Sequence, residues 1–345
     1  MDEATRRRFA GTVVGAGVVI LPASILLGPD GAAAKLPVRK RKDWEPAYLR
    51  LEREGKLAER AKELYSIYKS CRLCPRQCGV NRLKGETGIC SSTSRVKVSS
   101  AHPHFGEERP LVGRGGSGTI FFSNCNLLCE FCQNWEISHR GDGSYIPDEQ
   151  LGRLMVNMQE MGCHNINLVT PTHSVPNIVQ ALRTAVRMGL RVPLVYNCGC
   201  YDPAETVRLL DGIVDIYLPD FKYTDNANAV KYSSGADGYP EVAAASIAEM
   251  HRQVGNLVVD EKGVALRGVI IRHLVMPHNI AGTDRFVRWV AEKLGPSTYV
   301  NIMAQYRPEH RARNYPELNR RITSAEYAQA LRWAREAGLT NLDGA

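Results

Sequence analysis

Along most of the chain, short apolar runs alternate with stretches whose apolar residues recur at helical spacing. The runs cover 119–122, 165–169, 192–196, 213–218, 269–275 and 299–303. The stretches predict helices near 148–161, 175–188, 203–210, 240–254, 283–294 and 323–337. The runs lack polar alternation, as strands buried on both faces do. Strand–helix alternation of this kind predicts βαβ units and a parallel sheet, an α/β fold. Six units are too few for a closed eight-stranded barrel, which leaves an open partial barrel or a doubly wound sheet over 118–345. Both folds gather ligands at the carboxyl ends of their strands. Residues able to do chemistry follow the runs here, at 125–132, 170–173, 197 and 220–222.

Before the first run the pattern changes. Leu49, Leu51, Leu57, Leu64 and Ile67 fall near helical spacing among Lys, Arg and Glu, so 35–70 is expected to be a helical extension. Cysteines and glycines dominate 71–90, as in a small metal-held knuckle. An irregular linker is expected from 95 to 117, where Pro103, Pro110 and a glycine-rich stretch interrupt any period. The first 34 residues differ again. Arg6 and Arg7 precede an uncharged stretch over 9–27, and Ala32, Ala33 and Ala34 offer a small-residue cleavage site. This plan predicts a twin-arginine-type export signal, with an uncleaved membrane anchor or a cytoplasmic protein as alternatives. The membrane is expected to be met only through this segment.

Hydrophobic residues at 44% and charged residues at 23% describe an ordinary globular chain of 345 residues with a real core. The net charge of +8 is spread out, with no basic stripe interleaved by aromatics, so no nucleic-acid partner is expected.

The ten cysteines change the picture, because most fall into two closely spaced sets. Cys125, Cys129 and Cys132 follow the first run with C-x3-C-x2-C spacing. A cubane iron–sulfur cluster commonly takes four thiolates. Three on a short loop leave one iron open to a substrate's amino and carboxylate groups, and Phe131 would give apolar cover. The competing reading is a zinc site with His139 as fourth ligand. Cys71, Cys74, Cys78 and Cys90 form the second set, with Gly85 and Gly88 letting the chain fold back. Four thiolates suit a closed site, zinc or an auxiliary iron–sulfur cluster, and two disulfides are the alternative in an oxidising compartment. Cys163, Cys198 and Cys200 lie outside both sets.

The segment Cys125-x3-Cys129-x-Phe-Cys132 resembles the signature of the radical S-adenosylmethionine (SAM) superfamily. Its longer form, Cys-Glu-Phe-Cys-Gln-Asn-Trp over 129–135, is similar to the pyruvate formate-lyase activating enzymes and their relatives. The resemblance runs from about Cys71 to Leu339. It implies a partial (β/α)6 parallel barrel of radical SAM type behind an N-terminal Cys-rich extension. It also implies a [4Fe–4S] cluster that cleaves SAM reductively to a 5′-deoxyadenosyl radical, and a flavodoxin- or ferredoxin-like electron donor. A glycyl position on a protein, or another peptide or metabolite, is the implied substrate.

The same resemblance singles out cofactor-binding strand ends. Thr170, Thr172 and His173 stand where activating enzymes carry a Gly-Gly-Glu element, a departure; His173 reads equally as a structural histidine. Asn197 matches a ribose- and cation-facing segment, and Cys198 and Cys200 beside it suit packing. Asp220 and Lys222 resemble the family's Asp-x-Lys, and alternation places them on one face. A lysine there suits the methionine carboxylate. Arg272, His273, Gln305 and Tyr306 are further cavity-lining candidates. A non-catalytic iron–sulfur electron carrier and a zinc-held interaction module are the competing function classes; neither needs polar strand ends.

Overall fold

The structure is a computed structural model and describes residues 36–343. The leader expected over 1–34 lies outside the described residues. Two helices come first, α1 (Ala47–Arg53) and α2 (Lys56–Ser66). Then follow β1 (Lys97–His104), α3 (Arg109–Val112), β2 (Ser117–Phe122), α4 (Trp135–Ser138), β3 (Ser144–Tyr145), α5 (Asp148–Glu160), β4 (Ile166–Val169) and α6 (Val175–Arg187). The chain continues through β5 (Leu194–Cys198), α7 (Ala204–Arg208), β6 (Ile216–Pro219), α8 (Asn226–Tyr232), α9 (Tyr239–Val254), β7 (Val258–Val259) and β8 (Ala265–Leu274). It closes with α10 (Thr283–Lys293), β9 (Tyr299–Met303), α11 (Ser324–Glu336) and β10 (Asn341–Leu342).

The six apolar runs are β2, β4, β5, β6, β8 and β9, and they pair in parallel in that order. This is the partial barrel. Strand parity divides its two faces. Ile166, Leu168, Tyr196, Tyr217, Ile271 and Val300 pack outward with the helices in the main core. Val195, Ile216, Leu218, Ile270 and Tyr299, of the opposite parity, join a smaller cluster with Leu111, Leu257 and Ala265. That cluster lies on the inner face, together with buried polar residues such as Thr119 and Asn167. Gly152 of α5 lets α6 approach closely, since a Cβ there would lie 2.6 Å from the Ala181 carbonyl.

The expected irregular linker is a correction. Residues 97–104 form β1, antiparallel to β2, with His102 opposite Thr119 and His104 opposite Ser117. Its side chains are mostly half-exposed, so no buried run marked it, and Pro103 disguised it. The helices over 35–70 are packed on the barrel. Leu57, Ala61 and Leu64 bury one stripe of α2. The Ala47 N–H caps onto Asp215 Oδ1 at 2.8 Å, and Tyr48 Oη donates to the Val192 carbonyl at 2.8 Å. Among the described residues no helix is long and apolar enough to cross a membrane.

Candidate functional site

The loop after β2 carries the first cysteine set. Asn124 (φ 76°) and Leu128 (φ 52°) take left-handed backbone conformations. Asparagine tolerates this region; leucine does so at a cost, and such strain gathers at functional loops. The turn at Leu128 folds the loop between Cys125 and Cys129. Each of the three sulfurs meets a hydrogen-bonding group. The Leu127 N–H donates to Cys125 Sγ (3.4 Å), Ser233 Oγ donates to Cys129 Sγ (3.1 Å), and Ser138 Oγ lies 3.1 Å from Cys132 Sγ. Burial pushes the Cys125 thiol up and the Cys129 thiol up to about 12, with Lys222 opposing. Dry thiols with donors aimed at sulfur fit ligands that become thiolates only when a metal centre supplies positive charge. His139 donates through Nε2 to the Cys129 carbonyl at 3.1 Å and so braces the loop backbone.

The strand ends converge on one ionic network. Arg272, at the end of β8, donates through Nε to Asp220 Oδ1 (2.6 Å) and through Nη2 to Asn197 Oδ1 (2.6 Å). Lys222 Nζ lies 2.7 Å from Asp220 Oδ2, and Glu107 lies 3.6 Å from Arg272. Burial raises the Asp220 carboxyl, but Arg272 and then Lys222 outweigh it and hold the group below the usual range. Burial opposes the Lys222 charge, but Asp220 and then the nearby Cys129 sulfur outweigh it and hold the ammonium above its usual value. Gly199 keeps this space open: a Cβ there would meet Leu127 Cδ1 at 2.6 Å and Lys222 Cε at 3.5 Å. Asn197, Asp220 and Lys222 are thus brought together beside the cysteine loop. Glu107 had no signal in sequence, since β1 and its sequel read as irregular.

Other expected positions fall elsewhere. Thr170 (φ 59°) donates its N–H to the Asn197 carbonyl at 2.9 Å, and so shapes the strand end through its backbone. Thr172 is buried, and its side chain joins Asp202 and Tyr196. His173 is buried with Nε2 donating to the Ser123 carbonyl at 2.8 Å; burial, helped by Arg82, takes its pKa down to about 3. Its Nδ1 is buried with no hydrogen-bond partner among the described residues. His273 points away from the cavity by strand parity, stacking on Phe286 and bonding Phe221 and Thr283. Tyr306 bonds the Leu318 carbonyl beside Phe131, and Gln305 accepts from Gln133 through its carbonyl. Cys198 and Cys200 are buried packing residues.

Cys71, Cys74, Cys78 and Cys90 line one small cavity with Leu73, Val80 and Arg82. All ten cysteines are free thiols, so the disulfide alternative is absent. Gly88 makes room for Cys78, whose sulfur would lie 2.4 Å from a Cβ placed there. Burial pushes the Cys74 thiol up to about 12. Among the described residues, no three Cys, His, Asp or Glu side chains are grouped as a ready ion site, at this set or at Cys125, Cys129 and Cys132. The two cysteine sets are neighbours. Asn124 Nδ2 donates to Ser92 Oγ (3.0 Å), Arg76 Nε donates to the Asn126 carbonyl (3.1 Å), and Cys90 and Leu128 border one cleft.

The radical SAM superfamily profile matches residues 119–261, which begin at β2 and include the cysteine loop. Over 287 residues the chain is 34% identical to the uncharacterized protein MJ0674 of Methanocaldococcus jannaschii, covering 79% of this chain and 77% of that one. This chain belongs to the radical SAM superfamily. Two solved structures are similar at lower identity. HydG, a maturase of the [FeFe]-hydrogenase, aligns at TM-score 0.44 and 12% identity over 64% of this chain and 49% of its own, so this chain spans about half of HydG. A radical SAM methyltransferase from Sphaerobacter thermophilus aligns at TM-score 0.44 and 14% identity over 89% of this chain and 94% of its own. As a radical SAM protein the chain is one whose family uses a [4Fe–4S] cluster and SAM, and reductive cleavage of SAM is the general chemistry.

Proposed function

We propose that Cys125, Cys129 and Cys132 hold the [4Fe–4S] cluster, and that the chain is an activating-enzyme-like oxidoreductase acting on a glycyl position of a protein or peptide. When bound and reduced, the cluster supplies the electron that cleaves SAM to methionine and a 5′-deoxyadenosyl radical. The supporting observation is the meeting of three donor-flanked sulfurs with Lys222 at the carboxyl end of the sheet. Lys222 offers an ammonium to the methionine carboxylate, Asp220 and Arg272 fix its position, and Asn197 faces the ribose. A flavodoxin- or ferredoxin-like protein is the proposed electron donor, and the twin-arginine-type leader the proposed route of export.

The second cysteine set is proposed to hold a further metal group. Its four cysteines share one cavity. An auxiliary iron–sulfur cluster is the proposed occupant, and zinc, which four thiolates also suit, is the alternative. The test of the main reading is anaerobic reconstitution with iron and sulfide, dithionite reduction, and assay of 5′-deoxyadenosine. Wild-type protein is expected to form it, and Cys129→Ala to lose it; undiminished product from the variant would sink the assignment.

A further inference from the structure

Ser233 is fully buried at the end of α8, in sequence far from the cysteine loop. Its Oγ donates to Cys129 Sγ at 3.1 Å and lies 2.9 Å from Tyr223 Oη. A hydroxyl has one proton to give. With that proton on the sulfur, the Tyr223 hydroxyl donates to Ser233. Burial holds the Tyr223 phenol well above its ordinary value, so its proton stays in place. The chain of donors therefore runs one way, from Tyr223 through Ser233 to Cys129, and donors in series strengthen one another.

The placement of Ser233 is enforced from outside its own helix. The Glu130 N–H donates to the Tyr232 carbonyl at 2.9 Å, pinning the cysteine loop to the end of α8. Arg76, between Cys74 and Cys78, spreads its guanidinium over four carbonyls. Nη2 donates to Ser233 (3.1 Å), Nη1 to Ser234 (2.8 Å) and Gly235 (2.9 Å), and Nε to Asn126 (3.1 Å). Among the described residues it has no carboxylate partner. Its charge is spent on backbone oxygens of the two segments that meet at Cys129.

We propose that Ser233 is a positioning residue that sets the reduction potential of the cluster through Cys129, and that Arg76 of the neighbouring cysteine knuckle holds Ser233 in place. A donor to a thiolate sulfur favours the more negative, reduced cluster and so raises its potential. The inference rests on the assignment of the cluster to Cys125, Cys129 and Cys132.

The experiment is an anaerobic redox titration of the reconstituted full-length protein, followed by the electron paramagnetic resonance signal that responds to added SAM. That response selects the cluster with an open iron. Ser233→Ala is expected to lower the midpoint potential by about tenfold in the reduction equilibrium, roughly 59 mV for one electron, at unchanged iron content. Ser233→Thr, which keeps the hydroxyl, is expected to restore it. Arg76→Ala is expected to shift the potential the same way and to add little to Ser233→Ala in the double variant; Arg76→Lys serves if the alanine variant folds poorly. A Ser233→Ala potential equal to wild type overturns the inference while leaving the cluster assignment standing. Full additivity of Arg76→Ala and Ser233→Ala overturns the part given to Arg76. A wild-type protein without a SAM-responsive signal sinks the cluster assignment, and the inference with it.

Discussion

Arg272 grips Asp220 from the neighbouring strand, Nε to Oδ1 at 2.6 Å, while Lys222 holds the other carboxylate oxygen at 2.7 Å. Asp220 lies between two cations, and Glu107 offsets the second charge from the Arg272 side. Lys222 gives one of its three ammonium hydrogens to Asp220, which leaves donors for a bound carboxylate.

Lys222→Ala is therefore expected to weaken SAM binding while cluster assembly proceeds normally. Loss of one charge-assisted hydrogen bond in a sheltered site costs about 1.5–3 kcal/mol, or roughly 10- to 150-fold in affinity. Titration of SAM into wild-type and variant protein at matched iron content measures it. Equal affinities would mean that Lys222 serves Asp220 alone.

Arg272→Ala strips Asp220 of a partner in a largely buried setting. The expected loss of stability is about 3 kcal/mol, because a half-broken ion pair leaves a desolvated charge. Denaturant unfolding at neutral pH reads it, and a variant as stable as wild type would show the Arg272–Asp220 pair to be idle.

Burial takes the His273 imidazole down to about 4. An unfolded histidine titrates near 6.5, so the folded state stays neutral while the unfolded chain takes up a proton. Stability from this group is complete above about pH 6.5 and is lost as the pH falls toward 4. By pH 5 the loss is roughly 2 kcal/mol at about 1.36 kcal/mol per unit. Unfolding midpoints at pH 7.5 and 5 should differ less in His273→Gln than in wild type; identical differences would assign the acid sensitivity elsewhere.

The second cysteine set predicts a metal count. With Cys125, Cys129 and Cys132 all changed to Ala, reconstituted protein is expected to keep about four irons per chain, and to lose them when Cys78→Ala is added. Stoichiometric zinc in place of iron would reassign the site, and a chain empty of both would remove it.

The apolar runs at 299–303 and 119–122, and the spacing of Cys125, Cys129 and Cys132, could be read directly because both are local. A buried parallel strand needs a continuous apolar run, and a cluster loop must gather its thiolates within a few residues. Strand parity likewise put Asp220 and Lys222 on one face before any coordinates. Parity also separates Arg272 from His273, yet which of them faces inward depended on which side of β8 the helices cover. β1 stayed hidden because its half-exposed edge carries no apolar signal. Partners far apart in the chain were decided only by folding: Arg272 and Asp220 are separated by 52 residues, and Ser233 and Cys129 by 104. A serine hydroxyl in a polar segment announces nothing by itself. It gains its role when the end of α8 lands on the cysteine loop, and Arg76 fixes that landing with donors that no local pattern encodes.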